Sequence, residues 1–213
     1  MIAVIKGDII GSRKISQPDL WLGPLKAYFR KWGSQPLKWE ITGGDGFQLE
    51  INAPEDALQA AIEIKALLKG TPAGEENLSG PLDARLSIGI GEKTYRARRI
   101  SESNGPAFVN AGDQFELLRK EKTTLALKSP FPDFDEEMNL LLKLAAIFMD
   151  QWTVSSASLA SLALAHPGAT QQWLGAQLGI GQSSVSGRWN RAHVAETLEV
   201  LARYRKRLNE LTV

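Results

Sequence analysis

Two aspartates and a group of glycines in the N-terminal part of the chain could bind a metal ion and a phosphorylated ligand. Asp8 ends a strand-like run, and Asp45 follows Gly43 and Gly44 between two further strand-like runs. Paired carboxylates are typical Mg²⁺ ligands, and glycines let phosphate groups approach backbone N–H groups. Because Asp45-Gly46 alone could form the turn of a hairpin, Gly43 and Gly44 are surplus to it and favour a ligand site. Ordinary hairpin chemistry is the simpler alternative.

A second candidate site lies in residues 171–192, QQWLGAQLGIGQSSVSGRWNRA, which fit a helix-turn-helix. Gly175 is small where the two helices would cross, and Gly179 suits a turn with positive φ. The apolar residues that would hold the two helices together are Leu174, Leu178, Ile180, Val185 and Trp189. Side chains suited to phosphates and base edges remain on the second helix. They are Gln182, Ser183, Ser184, Ser186, Arg188 and Arg191, with Gly187 among them. A purely structural helical hairpin is the alternative.

The composition excludes several other kinds of site. The 213 residues are 43% hydrophobic, which suits a protein with a packed core. The absence of cysteine excludes disulfides and thiolate sites, and two histidines, His166 and His193, do not predict a metal cluster. A net charge of +1 means that any nucleic-acid binding must come from a local patch. Because the chain has no long apolar run, we expect a cytoplasmic protein with no membrane partner.

The hydrophobic pattern predicts an α+β protein in two parts. Strands are predicted at residues 1–10, 36–41, 47–51, 84–92 and 123–129, helices at 20–32, 54–70 and 106–121, and a loop at 71–83. This βαββαβ order with an added helix and strand is the ferredoxin-like arrangement. Beyond it, helices are predicted at 139–152, 155–165, 171–178 and 183–211.

A change of character near residue 131 predicts a domain boundary. The segment SPFPDFDEE, residues 129–137, carries two prolines and an acidic cluster just before the pattern becomes entirely helical. We therefore predict a ferredoxin-like domain at 1–130 and an all-α helix-turn-helix domain at 131–213. In the second domain, Trp152, Trp173 and Trp189 are predicted to be core residues. The basic run RYRKR, Arg203–Arg207, is predicted to be a solvated helix face.

Several of these motifs resemble known families. DIIGS (Asp8–Ser12) resembles the first metal-aspartate motif of class III nucleotide cyclases. GGDGF (Gly43–Phe47) resembles both their second such motif and the GGDEF loop of diguanylate cyclases. GPAFVNAG (Gly105–Gly112) is similar to the cyclase segment that carries a catalytic asparagine, which would be Asn110. The helix-turn-helix resembles that of sigma-factor region 4, and the whole chain most resembles the SatD family.

The resemblance implies specific roles for the N-terminal residues. Asp8 and Asp45 would hold Mg²⁺. The nucleotide would lie against Gly43, Gly44 and Gly46, with Arg13 as a phosphate contact. Asn110 is the candidate catalytic residue, or else caps a helix start. Gln114 stands where cyclases have an arginine, and Ile41 where they have a purine-selecting lysine. Because losing one charged donor to the transition state costs about 10²–10³ in rate, we do not expect an enzyme.

The predicted function is that of a bacterial DNA-binding transcriptional regulator. Its N-terminal part would be a degenerate cyclase-like domain that senses a nucleotide or serves for dimerisation, and the protein would be a homodimer because one recognition helix reads few base pairs. Mg²⁺ with a nucleotide is the only cofactor predicted. The alternative is a Mg²⁺-dependent nucleotidyl cyclase or transferase that uses Asp8 and Asp45. An interaction module without either activity is a third hypothesis.

Overall fold

The computed structural model describes residues 1–15, 17–72 and 81–212, and these form five strands and eight α-helices. The strands are β1 (Ile2–Ile10), β2 (Trp39–Thr42), β3 (Gly46–Ile51), β4 (Asp83–Gly91) and β5 (Leu125–Lys128). The helices are α1 (Asp19–Phe29), α2 (Ala57–Lys69), α3 (Pro106–Glu121), α4 (Pro132–Met149), α5 (Val154–Ala165), α6 (Gln171–Leu178), α7 (Gln182–Ala192) and α8 (Val194–Leu211). Most of the loop predicted at 71–83 lies outside the described residues.

All five strands belong to one mixed sheet in the order β2-β3-β1-β4-β5. From β2 to β4 along this order, each strand is antiparallel to the next, and β5 pairs with β4 in parallel. β1 is central, and its residue Asp8 lies opposite Gly46 of β3 and Arg85 of β4. Because facing residues in an antiparallel pair share one side of the sheet, Asp8 and Arg85 project to the same face.

Helices cover both faces of the sheet. On one face, α1 and α2 bury apolar side chains such as Leu25 and Phe29 against Ile5 and Ile9 of β1. On the other face, α3 packs Ala107 and Ala111 against Val4. The α+β class predicted from the sequence is confirmed. No helix within 1–15, 17–72 and 81–212 is both long enough and apolar enough to cross a membrane.

The C-terminal helices pack against the sheet through α4, which contacts β5, and they also pack against α2. α5 packs on α2, and Tyr204 of α8 donates a hydrogen bond of 2.6 Å to the carbonyl oxygen of Pro54. The predicted boundary at 130/131 falls in the link between β5 and α4. Buried apolar side chains that precede this link in the sequence, such as Leu49, and side chains that follow it, such as Tyr204, belong to one continuous core.

Two helix predictions were wrong in their boundaries. α4 begins at Pro132 and not at 139, because proline suits the first helical position and acidic residues stabilise the first turn of a helix. In that turn, Asp135 accepts a hydrogen bond from the backbone N–H of Ser129. The helix predicted at 183–211 is divided at His193, whose φ is 51°. There the Ala192 carbonyl accepts a hydrogen bond from the Trp152 indole, a tertiary contact that no local pattern indicated.

Candidate functional site

The N-terminal candidate site lies at one end of the sheet, where β1 finishes and β3 begins. Asp8 is near the end of β1, and Asp45 occupies the turn just before β3. The backbone N–H of Ile9 donates to the Asp45 carbonyl at 3.1 Å, which fixes this turn beside β1. The Asp45 carboxylate accepts a hydrogen bond of 3.0 Å from the Ser12 hydroxyl. The structure therefore brings Asp8, Ser12 and Asp45 together.

The turn before β3 is formed by other residues than the pair that was predicted. Gly43 and Gly44 adopt positive φ, 63° and 93°, whereas Gly46 is already in β3 opposite Thr42. Gly43 and Gly44 are therefore required by the turn itself, and the prediction that Asp45-Gly46 forms it was wrong. A Cβ atom on either Gly43 or Gly44 would meet no atom within 4 Å among the described residues. The backbone is therefore open at Gly43 and Gly44, whereas a Cβ atom at Gly46 would lie 3.2 Å from the Thr42 carbonyl oxygen.

Arg85 forms an ion pair with Asp8 that the sequence did not predict. Its guanidinium Nη1 lies 3.1 Å from Oδ2 of Asp8. Burial raises the pKa of Asp8, the Arg85 guanidinium opposes that shift, and the Asp45 carboxylate adds to it, so that the pKa is raised overall. Arg119, near the end of α3, also lowers this pKa. The effect of Asp45 shows that the two carboxylates are near enough to interact.

These residues do not fit a resident Mg²⁺ ion as they are arranged. A cation bound to Asp8 would lie against the Arg85 guanidinium, which already supplies the positive charge. The side-chain atoms Nε of Arg85 and Oε1 of Gln48 are buried and have no hydrogen-bond partner among the described residues. A ligand with its own donors and acceptors suits this face better than a bare cation.

The structure does not bring Asn110 to this end of the sheet. The Asn110 side chain donates a hydrogen bond of 2.9 Å to the carbonyl oxygen of Ile90, which is opposite Ala3 at the other end of β1. Ala3 and Asp8 are five residues apart, about 17 Å along an antiparallel strand. Gln114 lines a groove between α3 and α4 and so does not face Asp8 either. Arg13 is exposed in the short helical turn that follows β1.

We expect no cyclic nucleotide from ATP or GTP when the protein is incubated with Mg²⁺ or Mn²⁺. Arg85 neutralises Asp8, and Gln114 and Ile41 do not supply the charged donors that cyclases have. Chromatographic detection of the cyclic product and of pyrophosphate measures turnover, and calorimetry measures nucleotide binding separately. Steady conversion of either triphosphate would contradict this prediction.

At the second candidate site, two short helices, α6 and α7, lie in the segment 171–192. α6 and α7 are joined by residues 179–181, and Gly179 has a φ of 65°. Leu174 and Val185 are fully buried between the helices. A Cβ atom at Gly175 would lie 2.7 Å from the Ile180 carbonyl oxygen and 3.2 Å from a Val185 methyl group, so that the helices cross where only glycine fits. α5 packs against α7 as the third helix of the unit.

The exposed side of α7 presents a small polar surface. A hollow of about 380 Å³ is lined by Ser183, Ser184, Gly187, Arg188 and Arg191. Gln182 is exposed beside this hollow, whereas Ser186 is half-buried and does not line it. Asn190 is exposed at helical spacing from Ser183 and Gly187, and sequence reasoning missed it although the spacing contained that signal.

Other features of the helical part are structural. Trp152 is buried as predicted and Trp189 is partly buried against the core, but Trp173 is 37% exposed and its ring contacts His166 at a centroid distance of 4.8 Å. The basic run on α8 is held by ion pairs. Arg203 and Arg207 pair with Glu137, and Arg205 pairs with Asp56. These guanidinium groups therefore attach α8 to the rest of the protein.

Comparison with known proteins identifies no family for this chain. The sequence matches no protein-family model and has no significant match among curated proteins.

Proposed function

We propose that this protein is a sequence-specific DNA-binding regulator that reads the major groove with α7. The observation that carries the proposal is the packing of α6 on α7 around Gly175, with Gly179 in the turn, which leaves the polar side of α7 exposed. A helix of this kind in the major groove places the residues of its first turns against base edges. Ser183 and Ser184 lie in the first turn of α7, and Arg191 lines the same hollow from the last turn.

The charge distribution supports the proposal. No aspartate or glutamate occurs between Asp150 and Glu196, and Arg188 and Arg191 are the only lysine or arginine residues in that interval. No carboxylate of this segment would therefore oppose the DNA phosphates. The positive patch is small, so we expect weak non-specific binding and a modest dependence of affinity on salt.

The N-terminal part would serve as a sensing or dimerisation platform. The order β4-β1-β3-β2, all antiparallel, together with the βαββαβ succession, supports a ferredoxin-like domain to which α3 and β5 are added. Its ligand would be a nucleotide bound at the end of β1, beside the open backbone of Gly43 and Gly44 and the guanidinium of Arg85. A homodimer would place two recognition helices on one operator.

Removing the arginines of α7 tests the proposal most directly. Arg188→Ala and Arg191→Ala should each weaken binding to a sequence selected from random DNA. Loss of a base contact should cost about 1–3 kcal/mol and relax specificity at one position, whereas loss of a phosphate contact should lower the salt slope by about 1. Fluorescence anisotropy titrations at several salt concentrations separate these two outcomes.

Arg96→Ala is the matched control, because Arg96 is also an exposed arginine and lies outside the helical part. This variant has the same loss of charge and should bind DNA like the unmodified protein. If the random-DNA selection enriches no sequence, and binding at low salt is undetectable, the proposed function is wrong.

A further inference from the structure

Helix α4 has two apolar stripes, and only one of them is buried by the residues that the structure describes. The buried stripe consists of Phe134, Met138, Leu142, Ala145 and Met149. The second stripe consists of Leu140, Leu144 and Ile147, which are 61%, 53% and 67% exposed. Their spacing of four and three residues is that of a seam between two packed helices. A helix with this second stripe is expected to have another helix as its partner.

The exposed stripe borders a groove of about 570 Å³ between α3 and α4. Leu140 and Ile147 line one wall, and Leu117 of α3, which is 42% exposed, lines the other. β5 forms the floor, but Asn139 already hydrogen-bonds both the N–H and the carbonyl group of Leu127, at 2.8 and 2.9 Å. An added β-strand would have to displace this side chain. The groove therefore suits a helix and not an extended peptide.

The charges around the groove identify the most suitable partner. Its walls carry two acidic residues, Glu121 and Asp150, and two basic residues, Lys122 and Lys143. This balance gives no attraction to a polyanion or to an anionic membrane surface. A second copy of the same surface, in contrast, meets it without net repulsion. Closed dimers with twofold symmetry use one such self-complementary patch on both copies.

We infer that the exposed stripe of α4 is the interface of a homodimer, in which the α4 helices of two copies pack antiparallel. The twofold axis passes beside Leu144, so that Leu140 of one copy packs against Ile147 of the other, and Leu117 closes the side of the contact. The inference rests on the proposed function for its purpose, because two recognition helices are needed to read two half-sites.

Sedimentation of the full chain, over protein concentrations up to the high-micromolar range, tests this inference. The unmodified protein should show an equilibrium between monomer and dimer. Leu144→Glu should raise the dissociation constant of the dimer about 30-fold or more. Because Leu144 is largely exposed, this variant should keep the circular dichroism spectrum and melting temperature of the original. Val109→Glu is the matched control, since Val109 is 51% exposed on α3 and does not belong to the exposed stripe of α4.

A disulfide trap provides a second readout that does not depend on loss of binding. The chain has no cysteine, so Leu144→Cys introduces a single thiol. It should form a covalent dimer on mild oxidation, and Val109→Cys should not. A monomeric unmodified protein, or a dimer that survives Leu144→Glu, would overturn the inference.

The DNA titrations separate this inference from the proposed function. Leu144→Glu should still recognise one half-site and should lose affinity only for paired half-sites. DNA binding by a protein that is monomeric at every concentration refutes the dimer alone. Dimerisation through Leu144 without any selected DNA sequence refutes the proposed function alone.

Discussion

Replacing Val185 with aspartate is expected to unfold α6 and α7 while the sheet stays folded. Val185 has no exposed surface, and it packs on Gly175 at the crossing of the two helices. An unpaired carboxylate at this point would be buried without a partner, which should cost more than about 4 kcal/mol. Hydrogen exchange followed by mass spectrometry should show lost protection in 171–192 and retained protection in β1 and β4.

Ser184→Asp is the control for this variant. It introduces the same charge one residue away, on the exposed side of α7. We expect its stability to lie within about 0.5 kcal/mol of the original, as is usual for exposed substitutions. If Val185→Asp is equally well tolerated, α6 and α7 do not pack as described.

Replacing Asp83 with alanine is expected to lower the free energy of unfolding by about 3–5 kcal/mol. Asp83, at the start of β4, lies 2.5 Å from the ammonium of Lys65 and 3.0 Å from that of Lys69. The Lys65 side chain is completely buried, and its other partner is Asp150, at 2.7 Å. Without Asp83, the Lys65 ammonium would keep the Asp150 carboxylate, and the Lys69 ammonium would keep only the backbone carbonyl oxygen of Asp150. Urea unfolding followed by circular dichroism measures the loss.

Two further variants separate the burial of charge from other effects. Asp113→Ala removes an exposed ion pair with Lys128 and should cost less than about 1 kcal/mol. Lys65→Met combined with Asp83→Ala removes one of the stranded charges and should recover part of the stability. A loss below 1 kcal/mol for Asp83→Ala alone would show that the buried cluster is not important for the fold.

The sequence by itself determined the features that depend on neighbouring residues. The α+β class and the order of the elements followed from hydrophobic periodicity, which reports which side of each element is buried. The α6–α7 unit could also be predicted, because Gly179, Leu174 and Val185 are all within a few residues of the turn that they specify. Their spacing alone fixes a helix, a left-handed turn and a second helix.

The tertiary structure decided which distant groups meet. Arg85 neutralises Asp8, which lies 77 residues earlier in the chain, and only the pairing of β1 with β4 brings the two together. Lys65 is a lysine in a helix, yet its side chain is completely buried, because it reaches Asp83 at the start of β4 and Asp150 at the end of α4. A single sequence records the periodicity of each element but not the register between elements. The charge balance of the candidate site therefore became visible only in the folded chain.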